Sequence, residues 1–139
     1  MSVEMILLPL FVEVILTFAL LFWLGPLRAR DFRSGLQEED IALRQPNWSK
    51  PALQVQYSFS NQFELPVLFY VLTILAYVTH HAGTLFVVLA WVFVIFRLLQ
   101  AYVHVTNNKV RLRGIFFGIS ALALAIMWIV FIVEILTGT

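Results

Sequence analysis

Asn61 and Glu64 stand one helical turn apart at the mouth of a long apolar run. An amide and a carboxylate so placed can hold a polar ligand by hydrogen bonds and charge. A carboxylate inside a membrane-length segment is costly and calls for a partner. The expected partner is Arg97 in the next apolar run. Gln54, Tyr57, Asn61 and Glu64 step by three, four and three, which puts them in one stripe on a helix face. Arg97, Gln100 and His104, spaced three and four, form a second stripe.

The two stripes align in depth. Counted from the turn at His80-His81, Glu64 lies about 16 residues before it and Arg97 about 15 after. At ~1.5 Å per residue each is ~22–24 Å from the turn. The same count matches Asn61 with Gln100 and Tyr57 with His104. A single charge at the centre of a membrane helix costs ~2.5–3.5 kcal/mol, and a Glu64–Arg97 pair offsets much of that, whether it serves a ligand or only the fold. Arg111 and Arg113 open the last apolar run, where cations oppose the helix dipole. Placement at the cytoplasmic surface accounts for them. A bound anion accounts for them better, because backbone donors and guanidinium groups would converge on it.

These groups need elements to position them, and composition says which. The chain has 139 residues, 61% hydrophobic and 12% charged, which is too apolar for a soluble domain of this size. Apolar runs cover roughly residues 5–25, 63–79, 82–105 and 114–137. Each is near the ~20 residues that cross a ~30 Å hydrocarbon core. Backbone groups in lipid must satisfy one another, so helices are expected, and the alternation of a barrel strand is lacking. The fold class is therefore all-α, an integral membrane four-helix bundle of antiparallel up-down topology. It forms a single domain over 1–139, with helices at about 5–26, 51–79, 82–105 and 110–137 and a polar loop at about 27–50. The chain has no cysteine, so any thiol must come with a ligand.

Local signals refine this. The acidic start Met1-Ser2-Val3-Glu4 reads as a retained first helix rather than a cleaved signal peptide. Gly25-Pro26 is expected to end that helix, and Glu13 near its middle reads as a proton carrier or as a protonated or hydrogen-bonded carboxyl facing the bundle. Gln37 to Leu43 suits a short surface helix. Ser49 is placed to cap the second helix, with Pro51 just inside it. Pro66 removes a backbone bond to Gln62 and can bend that helix. Gly114, Gly118, Ala121 and Ala125 form a small-residue face suited to close packing in lipid. His80-His81, on a turn without an acidic neighbour in sequence, reads as an interfacial pair rather than a metal site. Glu134 reads as solvated.

All nine Lys and Arg residues lie in the first long loop, at Arg97, or in Lys109–Arg113. The positive-inside rule puts both basic loops in the cytoplasm and both termini outside. In a bacterial inner membrane the termini would be periplasmic.

Asn61-x-x-Glu64 followed by Leu65-Pro66-Val67-Leu68-Phe69-Tyr70 resembles the second-helix motif of the MAPEG family, the membrane-associated proteins of eicosanoid and glutathione metabolism. Arg97-x-x-Gln100-x-x-x-His104-x-Thr106-x-Asn108-x-x-x-x-Arg113 resembles the motif of a bacterial branch. The resemblance covers essentially the whole chain. It implies a homotrimer with glutathione bound near the cytoplasmic side between protomers. Asn61 and Glu64 would line that site, Arg97 would hold Glu64 or a ligand carboxylate, and Arg113 or Arg111 would face the thiol as the catalytic arginine. Gln100, His104, Tyr57 and Arg30 complete the candidate glutathione-binding set. No metal and no nucleic acid are expected. The partners are copies of the chain, lipid and a hydrophobic small-molecule substrate.

The leading expectation is a glutathione-dependent transferase or peroxidase acting on hydrophobic electrophiles. A non-catalytic lipid-binding or scaffold member of the same fold is the alternative, favoured by Gln100, which cannot carry a proton. A small proton-coupled carrier using Glu13, Glu64, Arg97 and His104 is a third.

Overall fold

A computed structural model of the chain describes residues 2–138. Five α-helices follow in order: α1 Val3–Arg33, α2 Lys50–Asn61, α3 Leu65–Val78, α4 Thr84–Val105 and α5 Val110–Thr137. A 3₁₀ turn at Glu38–Asp40 stands where the short surface helix was expected. The described residues contain no strand. α2 and α3 together make one crossing, so four segments are long and apolar enough to span a membrane. The architecture is the expected four-helix membrane bundle.

α1 begins where Ser2 accepts a hydrogen bond from the Met5 amide. It does not stop at Gly25-Pro26 but runs to Arg33. Proline forfeits one backbone bond, and contacts beyond it hold the extra two turns in place. Arg28 donates to Gln56 at 2.8 Å and lies 4.8 Å from the centre of the Trp48 ring. Asp31 Oδ2 accepts the Ser49 amide at 2.9 Å. Ser49 does occupy the cap position of α2, but its hydroxyl makes no cap bond; α1 supplies the acceptor instead. Gly35 then turns the chain at φ 110°, a conformation that suits glycine.

α4 is the central helix, packed on α1, α2 and α5. Phe69 of α3 and Phe93 of α4 stack at 4.8 Å in the core. Leu72, Ala76, Ala90, Val94, Ala123, Leu124 and Met127 surround them. Large apolar side chains such as Ile15, Phe22, Ile74 and Ile129 point outward, as a lipid-facing surface requires. Apolar lipid provides little drive for helices to associate, so packing and internal polar contacts must do so. The small-residue face of α5 does not pack within the protomer: nothing lies within 4 Å of a Cβ built at Gly114 or Gly118, and Ala125 is exposed.

Candidate functional site

The site is built on the interruption between α2 and α3. Pro66 has no amide hydrogen, so the Gln62 carbonyl lacks its helical partner. α2 ends in tight turns, with Gln62, Phe63 and Glu64 amides bonding to Phe59, Ser60 and Asn61 carbonyls at 3.0, 3.1 and 3.3 Å. α3 restarts at Leu65 with Pro66 in its first turn, where a missing donor costs little. The second apolar run is thus two helices rather than one continuous helix over 51–79. The interruption turns Gln62 inward and leaves Glu64 exposed, with φ −102° and ψ −108°.

Glu64 therefore does not pair with Arg97, and no Glu64–Arg97 ion pair forms. Arg97 is only 2% exposed. Its Nη1 donates to Gln100 Oε1 at 2.8 Å and its Nη2 to the Asn61 carbonyl at 3.0 Å. The guanidinium caps the carboxyl end of α2, where the helix dipole favours a cation. The carboxylates that act on it through space are Glu13 first and Glu64 second.

A cavity of about 570 Å³ opens in front of this cap, between α2, the interruption, α4 and α5. Tyr57, Asn61, Glu64, Gln100, His104 and Arg113 line it. Six of the nine candidate residues thus meet around one space. Arg97 stands behind the wall rather than in it, in a narrow gap shared with Gln62, Gln100 and His104 that has no room for a water molecule. Arg111 and Arg30 are exposed and lie off the cavity. Of the two arginines at the start of α5, Arg113 lines the cavity and Arg111 does not.

Asn108, a member of the quoted motif with no role assigned to it, and Phe117, absent from the candidates, both belong to the site. Asn108 accepts from Arg113 Nη1 at 2.7 Å and so aims the guanidinium. Its own backbone is left-handed, at φ 54°, which asparagine tolerates better than most residues. The motif spacing marked Asn108 but not the bond it makes. Phe117 adds an apolar wall one helical turn beyond Arg113. His104 is buried, and its Nδ1, closed off from the cavity, has no hydrogen-bond partner among the described residues.

Two other spaces lack this convergence of charge. A groove of about 380 Å³ between α1 and α3 is almost wholly apolar, with Thr17, Gln62 and Tyr70 on its border. A cavity of about 260 Å³ lies at the opposite end of the bundle beside His80 and His81. Glu134 lines it too, so the histidine pair does have a spatial acidic neighbour and Glu134 is only part-exposed.

Fold and site together define a four-helix membrane-spanning bundle with a charged cavity between helices near one end. The chain belongs to the MAPEG family, whose model matches residues 6–133. No match to the chain is found among curated proteins, and none among solved structures.

Proposed function

We propose that the protein is a membrane-bound glutathione-dependent transferase or peroxidase acting on hydrophobic electrophiles. MAPEG members generally use glutathione, and the family includes transferases and peroxidases. The observation that carries the reading is the meeting of Glu64 and Arg113, with Asn61, Gln100 and Tyr57, around one cavity of about 570 Å³. That volume suits a small peptide-sized ligand. Glutathione has an ammonium that matches Glu64 and carboxylates that match a guanidinium. The amides of Asn61 and Gln100 suit its peptide bonds.

Bound glutathione supplies a thiol, and the thiolate is the nucleophile. A thiol of reference pKa ~8.5 beside a guanidinium shifts towards thiolate. Arg113, held by Asn108, is the group for that task. The cavity is open, so the thiol proton can leave to water. Sulfur would then bond to an electrophilic carbon, and the leaving group would depart with the bonding pair. Phe117 and the lipid-facing rim favour an apolar electrophile.

The protein would act as a homotrimer, with the open small-residue face of α5 available to a neighbouring protomer. The basic segments would face the cytoplasm of a bacterial inner membrane, with both termini periplasmic, because the Lys and Arg residues cluster at that end. Titrating detergent-solubilised protein with glutathione, followed by thiolate ultraviolet absorbance, tests the reading. Saturable absorbance is expected; a stable trimer silent at millimolar glutathione would overturn it.

Gln100 supports a second reading, a lipid-binding scaffold of the same fold. Its side-chain oxygen is committed to Arg97, and an amide does not titrate, so it cannot accept the thiol proton. Purified protein that retained lipid but gave no turnover with glutathione and an aromatic electrophile would favour that reading.

A further inference from the structure

At the end of the bundle away from the basic segments, the α3–α4 turn and the last turns of α5 border a cavity of about 260 Å³. At ~30 Å³ per water molecule that is the volume of about nine waters, the scale of a polar headgroup rather than of a whole lipid. Phe86 and Leu89 of α4 and Met127 of α5 give the cavity its apolar side. His81, Phe131 and Glu134 give it an aromatic and polar one.

The fold alone does not call for these polar groups. α3 ends in a turn in which the His81 amide bonds to the Ala76 carbonyl at 2.8 Å and the His80 amide to the Tyr77 carbonyl at 3.2 Å. His80 holds the left-handed position of that turn, at φ 61°, where glycine is usual. Glu134 is half-buried in an otherwise apolar stretch of α5. Among the described residues nothing bonds to its carboxylate.

His81 is oriented from two sides. Its ring meets that of Phe131 at 89°, with centroids 6.1 Å apart, and its Nδ1 lies 3.1 Å from Thr79 Oγ1. The Thr79 hydroxyl has one hydrogen, which it donates to the Leu75 carbonyl at 2.7 Å. Towards His81 it can only accept, so Nδ1 carries the proton. In the neutral imidazole Nε2 is then an acceptor. Nε2 has no partner among the described residues and is not closed off from the surroundings.

Glu134 and His81 Nε2 thus accept hydrogen bonds without donating any, and the carboxylate adds a full negative charge. They call for a cationic donor. Among the described residues no three metal-ligating side chains come together, which leaves an organic cation. The start of α4 borders the cavity at Gly83 and Leu85. Its positive end amounts to about half a charge spread over several amides, so the carboxylate outweighs it.

We propose that this cavity is a second binding site, for an ammonium group carried on an apolar body, with Glu134 and His81 Nε2 as its acceptors and Phe131 as an aromatic wall. An aminophospholipid headgroup and a free amphipathic amine share that chemistry. Glu134 and His81 lie apart from the cavity that Glu64 and Arg113 line, so the site stands whether or not glutathione binds.

Two measurements on the full-length protein in nonionic detergent separate the sources. Native mass spectrometry compares retention of phosphatidylethanolamine and phosphatidylglycerol of matched chains, supplied in equal amounts. Isothermal titration calorimetry compares hexylamine with hexanol. In at least one comparison the ammonium-bearing probe should be held about tenfold better, the effect of one charged hydrogen bond. A preference in the lipid comparison identifies a headgroup site; one confined to hexylamine identifies a site for free amines. Glu134→Gln should remove most of the preference. His81→Phe, which keeps a ring but lacks Nε2, should remove part of it. Both variants should retain the helix content of the wild type by circular dichroism. Wild type without preference in either comparison would overturn the proposal, and so would a preference that survives undiminished in Glu134→Gln.

Discussion

Replacing Arg113 by alanine isolates the contribution of one guanidinium to thiol ionisation. Two unit charges at ~4 Å interact by ~4 kcal/mol at an effective dielectric constant of ~20. Arg113 is half-buried and lines an open cavity, so solvent and salt reduce this to about 1–1.5 kcal/mol. That corresponds to about one pH unit in the ionisation of the bound thiol. The sign follows from charge: a cation favours thiolate, so its removal raises the thiol midpoint and lowers the thiolate fraction near neutral pH about tenfold. The assay is thiolate absorbance of the glutathione complex against pH, at saturating glutathione. Asn108→Ala serves as the companion variant. It removes the 2.7 Å acceptor of Arg113 Nη1 but keeps the charge. A charged hydrogen bond contributes roughly 1.5–3 kcal/mol, and partial exposure puts this one at the low end. Binding should therefore weaken about threefold to tenfold, with a midpoint shift less than half that of Arg113→Ala. A midpoint that does not move in Arg113→Ala would refute the role given to this arginine, whatever happens to affinity.

Other expectations concern the frame that holds the site. Asp31→Ala removes the acceptor of the Ser49 amide at the start of α2 and should cost about 1 kcal/mol, as loss of a helix cap does; thermal unfolding in detergent measures it. Gly35→Ala meets no neighbouring atom but must adopt φ 110°, so it should destabilise by about 1 kcal/mol or more from the backbone alone, again read as a lower melting midpoint. Ala90→Leu adds bulk where α4 is fully buried in the core and should cost about 1–3 kcal/mol; an unchanged midpoint would mean that the core around Ala90 yields more easily than its packing implies.

Much of this molecule is legible in its sequence because the lipid simplifies the problem. Segment length and hydropathy locate four crossings, and backbone satisfaction makes them helices. The limits of α4 and α5 follow from the Gly83 turn and the Thr106–Lys109 loop. The end of α1 was not legible. Gly25-Pro26 is a local stop signal, and it is overridden by contacts from distant residues, Arg28 with Gln56 and Trp48 and Asp31 with Ser49.

The position of Glu64 shows where counting along a helix stops working. Rise per residue gives depth, and depth was sound: Tyr57, Asn61, Gln100 and His104 do meet around one cavity. Azimuth is less robust, because it accumulates at ~100° per residue and assumes an unbroken helix. The tight turns at Gln62–Glu64 break that assumption within three residues. Gln62, absent from the polar stripe, turns into the core; Glu64, its last member, turns out to the cavity rim. The consequence favours function. A Glu64 locked onto Arg97 would have no charge to spare for a ligand ammonium. With Arg97 held by Gln100 and the end of α2, the exposed carboxylate lines the same cavity as Arg113, and that cavity carries groups of both signs.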